Sequence, residues 1–309
     1  KHMDIAASLQ SVTEEIMLRM ASSLADEFGI DNLCLAGGVA LNCVANGKLL
    51  RQGRFKDLWV QPGAGDAGGA IGAALSAFHL ELDQPRTAQP ADGMSGTYLG
   101  PDYTPEAIES VLKTAGAIYD RLADDQLVDR VALALSEGKA VGWMQGRMEF
   151  GPRALGNRSI LADPRSADMQ KTLNLKVKYR ESFRPFAPSV LEEKVSEWFD
   201  IDRGAPYMQF VADVLPRHRI TMTEQQQQLF GIDKLNVPRS SVPAITHVDH
   251  SARIQTVSAG TNPLYHSLIS RFDELTGCPM LVNTSFNVRG EPIVCSPKDA
   301  LDCFMGTGL

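Results

Sequence analysis

Twice in the first 80 residues a short apolar run ends in glycines and opens into a helical pattern. Asn32-Leu-Cys-Leu-Ala36 leads through Gly37-Gly38 into a helical stretch at 39–52, and Asp57-Leu-Trp-Val60 leads through Gly63-Ala-Gly-Asp-Ala-Gly-Gly69 into another ending near residue 80. A strand that passes through glycine into a helix, and does so again, restricts the fold to an α/β layer whose strand ends face a ligand. Ahead of this layer, apolar residues recur at helical spacing (Ile5, Leu9, Val12, Ile16, Met20, Leu24), with Gly29 placed for a C-terminal cap. Lys1-His2-Met3 resembles a cloning remnant and is left out of the fold reading.

Residues 83–97 are rich in Pro, Gly and polar residues without periodicity, which predicts an interdomain linker and a boundary near residue 90, between parts spanning 4–90 and 91–309. Beyond it the patterns predict helices at 104–115, 124–137, 166–176, 262–276 and 297–306, with strands at 117–122, 139–144, 186–191, 207–214, 253–257 and 279–283. That is a mixed α/β domain with a surface insertion at 216–241. No apolar stretch reaches the roughly 18 residues a membrane span needs, so no membrane partner is expected. Five cysteines without a CxxC pair read as reduced core residues of a cytoplasmic protein.

Gly63, Gly65 and Gly68 satisfy the dinucleotide fingerprint, but no second strand with a terminal acidic residue follows, so a structural tight turn is the better reading. Asp66 in that turn suits either a metal ligand or a helix N-cap. The net charge of −7 argues against a general nucleic-acid binder, yet it conceals a concentration: residues 147–184 hold nine Lys/Arg and four Asp/Glu, leaving −12 for the rest. Arg147, Arg153 and Arg158 are spaced through a Gly-Pro-rich loop that could aim guanidinium groups at phosphate oxygens. The alternatives are a surface salt-bridge network and RNA binding, for which interleaved aromatics are scarce. His247-Val-Asp-His250 is not an obvious chelate and reads as a solvated loop. Asn283-Thr-Ser-Phe-Asn287 follows a buried strand and suits a nucleotide's polar edges or a plain turn. No Gly-x-Ser-x-Gly elbow, Walker A lysine or HExxH occurs.

Together, Leu35-Ala-Gly-Gly-Val-Ala-Leu-Asn42, Gln61-Pro-Gly-Ala-Gly-Asp-Ala-Gly-Gly-Ala70, Gly151-Pro-Arg-Ala-Leu-Gly-Asn-Arg-Ser159, Phe183-Arg-Pro-Phe-Ala-Pro188 and Asn283-Thr-Ser-Phe-Asn287 resemble the nodulation-type O-carbamoyltransferase family. The resemblance implies a partial ASKHA (actin/Hsp70-like) α/β layer followed by a YrdC-like mixed α/β domain. The second would make carbamoyl-adenylate from carbamoyl phosphate and ATP. The first would transfer the carbamoyl group to a hydroxyl of a sugar or natural product, using a divalent transition metal (Fe²⁺) in the complete domain. Lys178-x-Arg180 resembles the family's Lys-x-Arg pair, Ser285-x-Asn287 its Ser-x-Asn element, and Arg253 lies in a similar His-Val-Asp…Arg-x-Gln stretch in which His250 stands where the family would have Gly. Gly37, Gly38 and Asn42 resemble the nucleotide-contacting turn, and Asp66 the metal-ligating aspartate. The family's HxxxH metal pair is absent, which implies a fragment lacking the first half of the transfer domain.

The expected chemistry follows from that resemblance. Lys178, Arg180 and Arg158 are the expected catalytic cations. Arg147, Arg153, Arg184 and Arg253 would bind carbamoyl phosphate and ATP, Asn283, Ser285 and Asn287 would orient the nucleotide, and Mg²⁺ would bridge its phosphates. A threonylcarbamoyl-adenylate synthase, a hydrogenase-maturation-type carbamoyltransferase and a non-catalytic nucleotide- or RNA-binding module stay open as alternatives. A homo-oligomer is compatible with each.

Overall fold

The opening periodicity is realised as α1 (His2–Phe28) in the computed structural model, which describes residues 2–87 and 92–309. The apolar stripe of α1 does not face a core, however. Ile5, Leu9, Val12, Ile16 and Met20 are all more than half exposed, whereas Glu14 and Ala21 on another face are buried. Glu14 is held there by Lys48 and by Gln10, whose amide donates to it at 2.8 Å.

The β-Gly-α rhythm appears as β1 (Asn32–Leu35), α2 (Cys43–Gln52), β2 (Asp57–Val60) and α3 (Asp66–Ser76). The strands pair in parallel, from Asn32↔Asp57 to Leu35↔Val60. The helix expected at 39–52 is broken into a 3₁₀ turn (Gly38–Leu41) and α2, because Asn42 caps α2 by accepting from the Ala45 amide at 3.1 Å. At the second turn a Cβ on Gly68 would stand 2.3 Å from the Gly63 carbonyl oxygen. Close packing of turn on helix therefore accounts for the glycine spacing.

The remaining elements are α4 (Pro105–Thr114), α5 (Asp124–Ser136), β3 (Val141–Met144), β4 (Arg158–Ala162), α6 (Met169–Lys176), β5 (Ala187–Leu191), α7 (Val195–Trp198), β6 (Phe210–Asp213), α8 (Glu224–Gln227), α9 (Gly231–Leu235), β7 (Ser251–Val257), α10 (Pro263–Thr276), β8 (Met280–Ser285) and α11 (Pro297–Met305). Six strands form one mixed sheet in the order β3-β4-β8-β5-β7-β6. β4 and β5 flank β8 antiparallel, and β7 runs parallel to β5. Helix α10 lies along α5 and against β5 and β8, burying Tyr265, Leu268, Ile269 and Phe272 completely at i, i+3, i+4, i+7 spacing. Leu268, Ile269 and Phe272 each contribute about 1.5–3 kcal/mol by leaving water.

The described residues divide into two compact units. One comprises Lys1–Gly93, Phe150–Pro152 and Gln209–Val211; the other comprises Met94–Glu149, Arg153–Met208 and Ala212–Leu309. The boundary expected near residue 90 lies outside the described residues. Two other expectations are corrected. No strand forms at 117–122, where Ile118 is fully exposed and Asp120 and Arg121 are engaged by Arg130 and Glu109. The Gly-Pro-rich loop ends earlier than its composition suggests, because Arg158 opens β4, a strand with every residue buried. Of the cysteines only Cys278 and Cys303 are buried, while Cys34 is exposed; all five are free thiols.

Candidate functional site

Helix α6 ends at Lys176, and the chain then turns through Tyr179, whose φ of +45° is uncommon for a residue with a side chain. This turn carries Lys178 inward to the end of β8. Its Nζ donates to the Ser285 carbonyl, to Ser285 Oγ at 3.3 Å, to the Asn287 carbonyl at 3.0 Å and to Asn287 Oδ1 at 2.8 Å. Ser285 Oγ donates to Asn287 Oδ1 at 2.7 Å, and Asn287 Nδ2 donates to the Glu291 carbonyl at 2.8 Å. Lys178 is buried, and that burial, reinforced by the Arg180 charge, pushes its amine down to about 7 from the ordinary 10.5. At neutral pH the site therefore holds an ammonium poised to lose its proton.

Arg180 lies 4.9 Å over the Phe186 ring and donates from Nε to Asn174 Oδ1 at 2.6 Å. Burial pushes its guanidinium pKa down, with the Arg184 and Arg253 charges adding to the effect. Asn174 on α6 also donates to the Ser182 and Arg184 carbonyls at 3.1 and 2.8 Å, so one buried amide shapes the whole 180–184 segment. The result is a pocket of about 250 Å³ lined by Lys178, Arg180, Glu181, Arg184, Ser285, Asn287 and Arg289. Sequence reasoning named five of these seven residues. It missed Glu181 and Arg289 on the wall and Asn174 behind it, because none of the three is among the motif positions that carried the reading.

Arg253 on β7 is half-buried and, among the described residues, has no hydrogen-bond or ion-pair partner. The expected loop forms at 247–250, with Val248 and Asp249 exposed, but the His247 side chain within it is half-buried. Burial pushes its imidazole down, and its Nδ1 pairs with Ser251 Oγ at 3.0 Å. His250 has a φ of +65°, the conformation in which glycine is at ease, which explains why a histidine is unusual at that position.

Other expected site residues stand elsewhere. Arg158 is fully buried, and its guanidinium donates to the carbonyls of Pro101, Gln145, Gly146, Asn157 and Cys295 at 2.8–3.3 Å. Its donors are engaged by the backbone, so Arg158 braces the fold instead of facing the pocket. Arg147 is exposed and donates to the Leu99 and Gly100 carbonyls, and Arg153 is half-buried on the loop before β4. Asn283 belongs to the sheet interior: its Nδ2 donates to Ser189 Oγ at 3.0 Å, Gln255 Oε1 at 2.9 Å and the Ala154 carbonyl at 3.3 Å. Glu149, unremarked in the sequence, accepts from the Leu155, Asn157 and Arg158 amides at 2.6, 2.8 and 3.3 Å and so sets the loop before β4.

In the other unit, Gly37 and Gly38 lead into the 3₁₀ turn, and the Asn42 side chain is taken up by its cap and a reciprocal amide pair with Gln10. Asp66 is the exposed first residue of α3, with Gly65 at the N-cap position. Among the described residues no three His, Cys, Asp or Glu side chains gather to hold a metal. One carboxylate does not fit the transition metal that the resemblance implies. No helix among the described residues is long and apolar enough to cross a membrane.

Comparison with known proteins supplies the remaining finding. Residues 132–309 match the Carbamoyltransferase C-terminus family, and residues 1–75 match the Carbamoyltransferase N-terminus family. The chain is 44% identical to nodulation protein NolO of Bradyrhizobium diazoefficiens, covering all of this chain and 53% of that protein. It is also 44% identical to nodulation protein NolNO of Sinorhizobium fredii, covering 100% of this chain and 42% of that one. Protein sll1178 of Synechocystis is 61% identical over 100% of the chain and 51% of its own length. The chain thus spans about half the length of the curated relatives it matches. With both family regions present in order along a mixed α/β chain, this protein belongs to the carbamoyltransferase family.

Proposed function

We propose that the pocket around Lys178 binds ATP and carbamoyl phosphate and forms carbamoyl-adenylate, and that residues 91–309 are the YrdC-like adenylating part. The observation that carries this reading is the convergence of Lys178, Arg180 and Arg184 with Ser285 and Asn287 on one pocket, although the two groups lie about a hundred residues apart in sequence. Carbamate, released when water takes the phosphate of carbamoyl phosphate, attacks the α-phosphorus of ATP. The bond from that phosphorus to the β-bridging oxygen breaks, and pyrophosphate leaves with the electron pair. Negative charge accumulates on the phosphoryl oxygens, so fixed cations beside them lower the barrier. Lys178 and Arg180 fill that role beside the α-phosphate, Ser285 and Asn287 hold Lys178 in place, and unpartnered Arg253 is available to a second anion. Mg²⁺ carried by the nucleotide would neutralise the distal phosphates.

Transfer of the carbamoyl group to a hydroxyl of a sugar or natural product is the proposed second half of the reaction. It is assigned to the unit containing Gly37, Gly38, Asn42 and Asp66, within a whole protein of the relatives' length.

The test is ATP–pyrophosphate exchange dependent on carbamoyl phosphate, measured on the 309-residue chain and on Lys178→Ala. Exchange should collapse in the variant, and unaltered exchange overturns the assignment. Substituting threonine and bicarbonate for carbamoyl phosphate should not support exchange; if it does, the co-substrate is misassigned.

A further inference from the structure

The cations around the pocket are graded by depth. Lys178 is buried, Arg180 is half-buried, and Arg184 and Arg289 are exposed at the rim. The one carboxylate among the lining residues, Glu181, is engaged by Arg184 at 3.0 Å. That leaves Arg289 with no ion-pair partner among the described residues. Its only hydrogen bond there runs from Nη1 to the Tyr179 carbonyl at 3.4 Å, which draws the 288–290 turn against the strained residue between Lys178 and Arg180. Most of a five-donor fork is thereby free at the mouth of a pocket whose interior is already cationic. Around it on the lining stand Arg184, Arg180 and Lys178, three cations against the single carboxylate of Glu181, whose charge is shared between Arg184 and Arg289.

We propose that Arg289 holds the β- and γ-phosphates of the nucleotide at the pocket mouth, and the pyrophosphate as it leaves. This rests on the nucleotide reading above and extends it to the direction in which the ligand lies. The reacting α-phosphorus sits deep, beside Lys178 and Arg180. The distal phosphates point to solvent, so the bond that breaks releases its leaving group outward past Arg289. Because Arg289 contacts only what lies beyond the α-phosphate, it contributes to binding of ATP and pyrophosphate and not of AMP.

Calorimetric titrations of ATP, AMP and inorganic pyrophosphate into the full chain, Arg289→Ala and Lys178→Met test this. Arg289→Ala should weaken ATP and pyrophosphate by about tenfold, the scale of one charge-assisted contact at an exposed site, and leave AMP within about twofold. Arg289→Lys should recover part of the loss. Unaltered ATP affinity in Arg289→Ala overturns the proposal. Equal weakening of ATP and AMP also overturns it, since the residue would then act through the Tyr179 carbonyl on the pocket wall. The two levels separate cleanly. If ATP binding depends on Lys178 and not on Arg289, only the Arg289 assignment falls; if it depends on neither, or if wild type does not bind ATP, the nucleotide reading falls and takes Arg289 with it.

Discussion

Lys178 gives the candidate site a protonation signature that can be measured directly. With its amine at about 7, roughly one-tenth of the free protein carries the proton at about pH 8. A triphosphate placed against the amine favours the ammonium and moves it back toward its ordinary 10.5, so the bound form is almost fully protonated. Binding must then take up about 0.9 proton at that pH, and almost none near pH 6, where the amine is already charged. Affinity should fall about tenfold per pH unit from roughly pH 7.5 to 9.5. The uptake is read by titrating ATP in two buffers of different ionisation enthalpy, at a pH where the phosphates themselves are already ionised. Lys178→Met should abolish the uptake and flatten the pH profile. Uptake below about 0.2 proton in wild type, or uptake that survives in the variant, refutes the argument. The ligand-free protein carries the same signature with a defined sign. The folded-state value lies below the unfolded one, so this group's contribution to stability is fully present above about 10.5 and is lost as pH falls through about 7. The difference in denaturant midpoint between wild type and Lys178→Met should follow that window.

Two further substitutions test placements that the sequence did not anticipate. Arg158→Met leaves five inward-facing carbonyls without their donor and should cost about 3–5 kcal/mol in urea unfolding; a loss under about 1 kcal/mol would return Arg158 to the ligand-facing role. His250→Gly removes a side chain from a left-handed residue and should raise stability by about 1 kcal/mol after the added freedom of the unfolded chain is counted, whereas a lowered thermal midpoint would mean that the histidine side chain holds the turn.

Much of the fold was legible because local patterns dictated it. β2 falls at 57–60 as read, and α5, α10 and α11 lie within a residue or two of their expected bounds, each marked by helical spacing and most by a Pro or capping residue at the start. What failed depended on partners distant in the chain. β4 begins with an arginine and a serine after a glycine-rich loop, a pattern that reads as surface. Only the carbonyls of residues 101, 145, 146 and 295, brought around it by the fold, allow that arginine to be buried. The α1 stripe shows the converse. Periodicity correctly gives a helix, but it says nothing of what covers the apolar face, and among the described residues that face is open. Asn174 and Arg289 carry no local signal of their roles, which arise only when α6, the 180–184 segment and the turn after β8 come together.

The motif Asn283-Thr-Ser-Phe-Asn287 shows most clearly why residues alike in a sequence diverge in role. Asn283 and Ser285 lie on the same face of β8, two positions apart. At Asn283 the strand has a neighbour on each side, Leu161 of β4 and Ala187 of β5, so the amide is enclosed and its donors go to Ser189, Gln255 and Ala154. β5 pairs no further, and Ser285 is left with Ser159 of β4 alone. The chain leading into β5 takes up the vacant flank and brings the Lys178 amine onto the Ser285 carbonyl, where a third strand would otherwise have supplied the hydrogen bond. The ladder thus ends in a charged side chain instead of a backbone amide. A displacement of β5 by two residues along β8 would enclose Ser285 as Asn283 is enclosed and leave no pocket. The candidate site exists because two strands of one sheet stop at different heights, which the spacing of residues within either strand does not record.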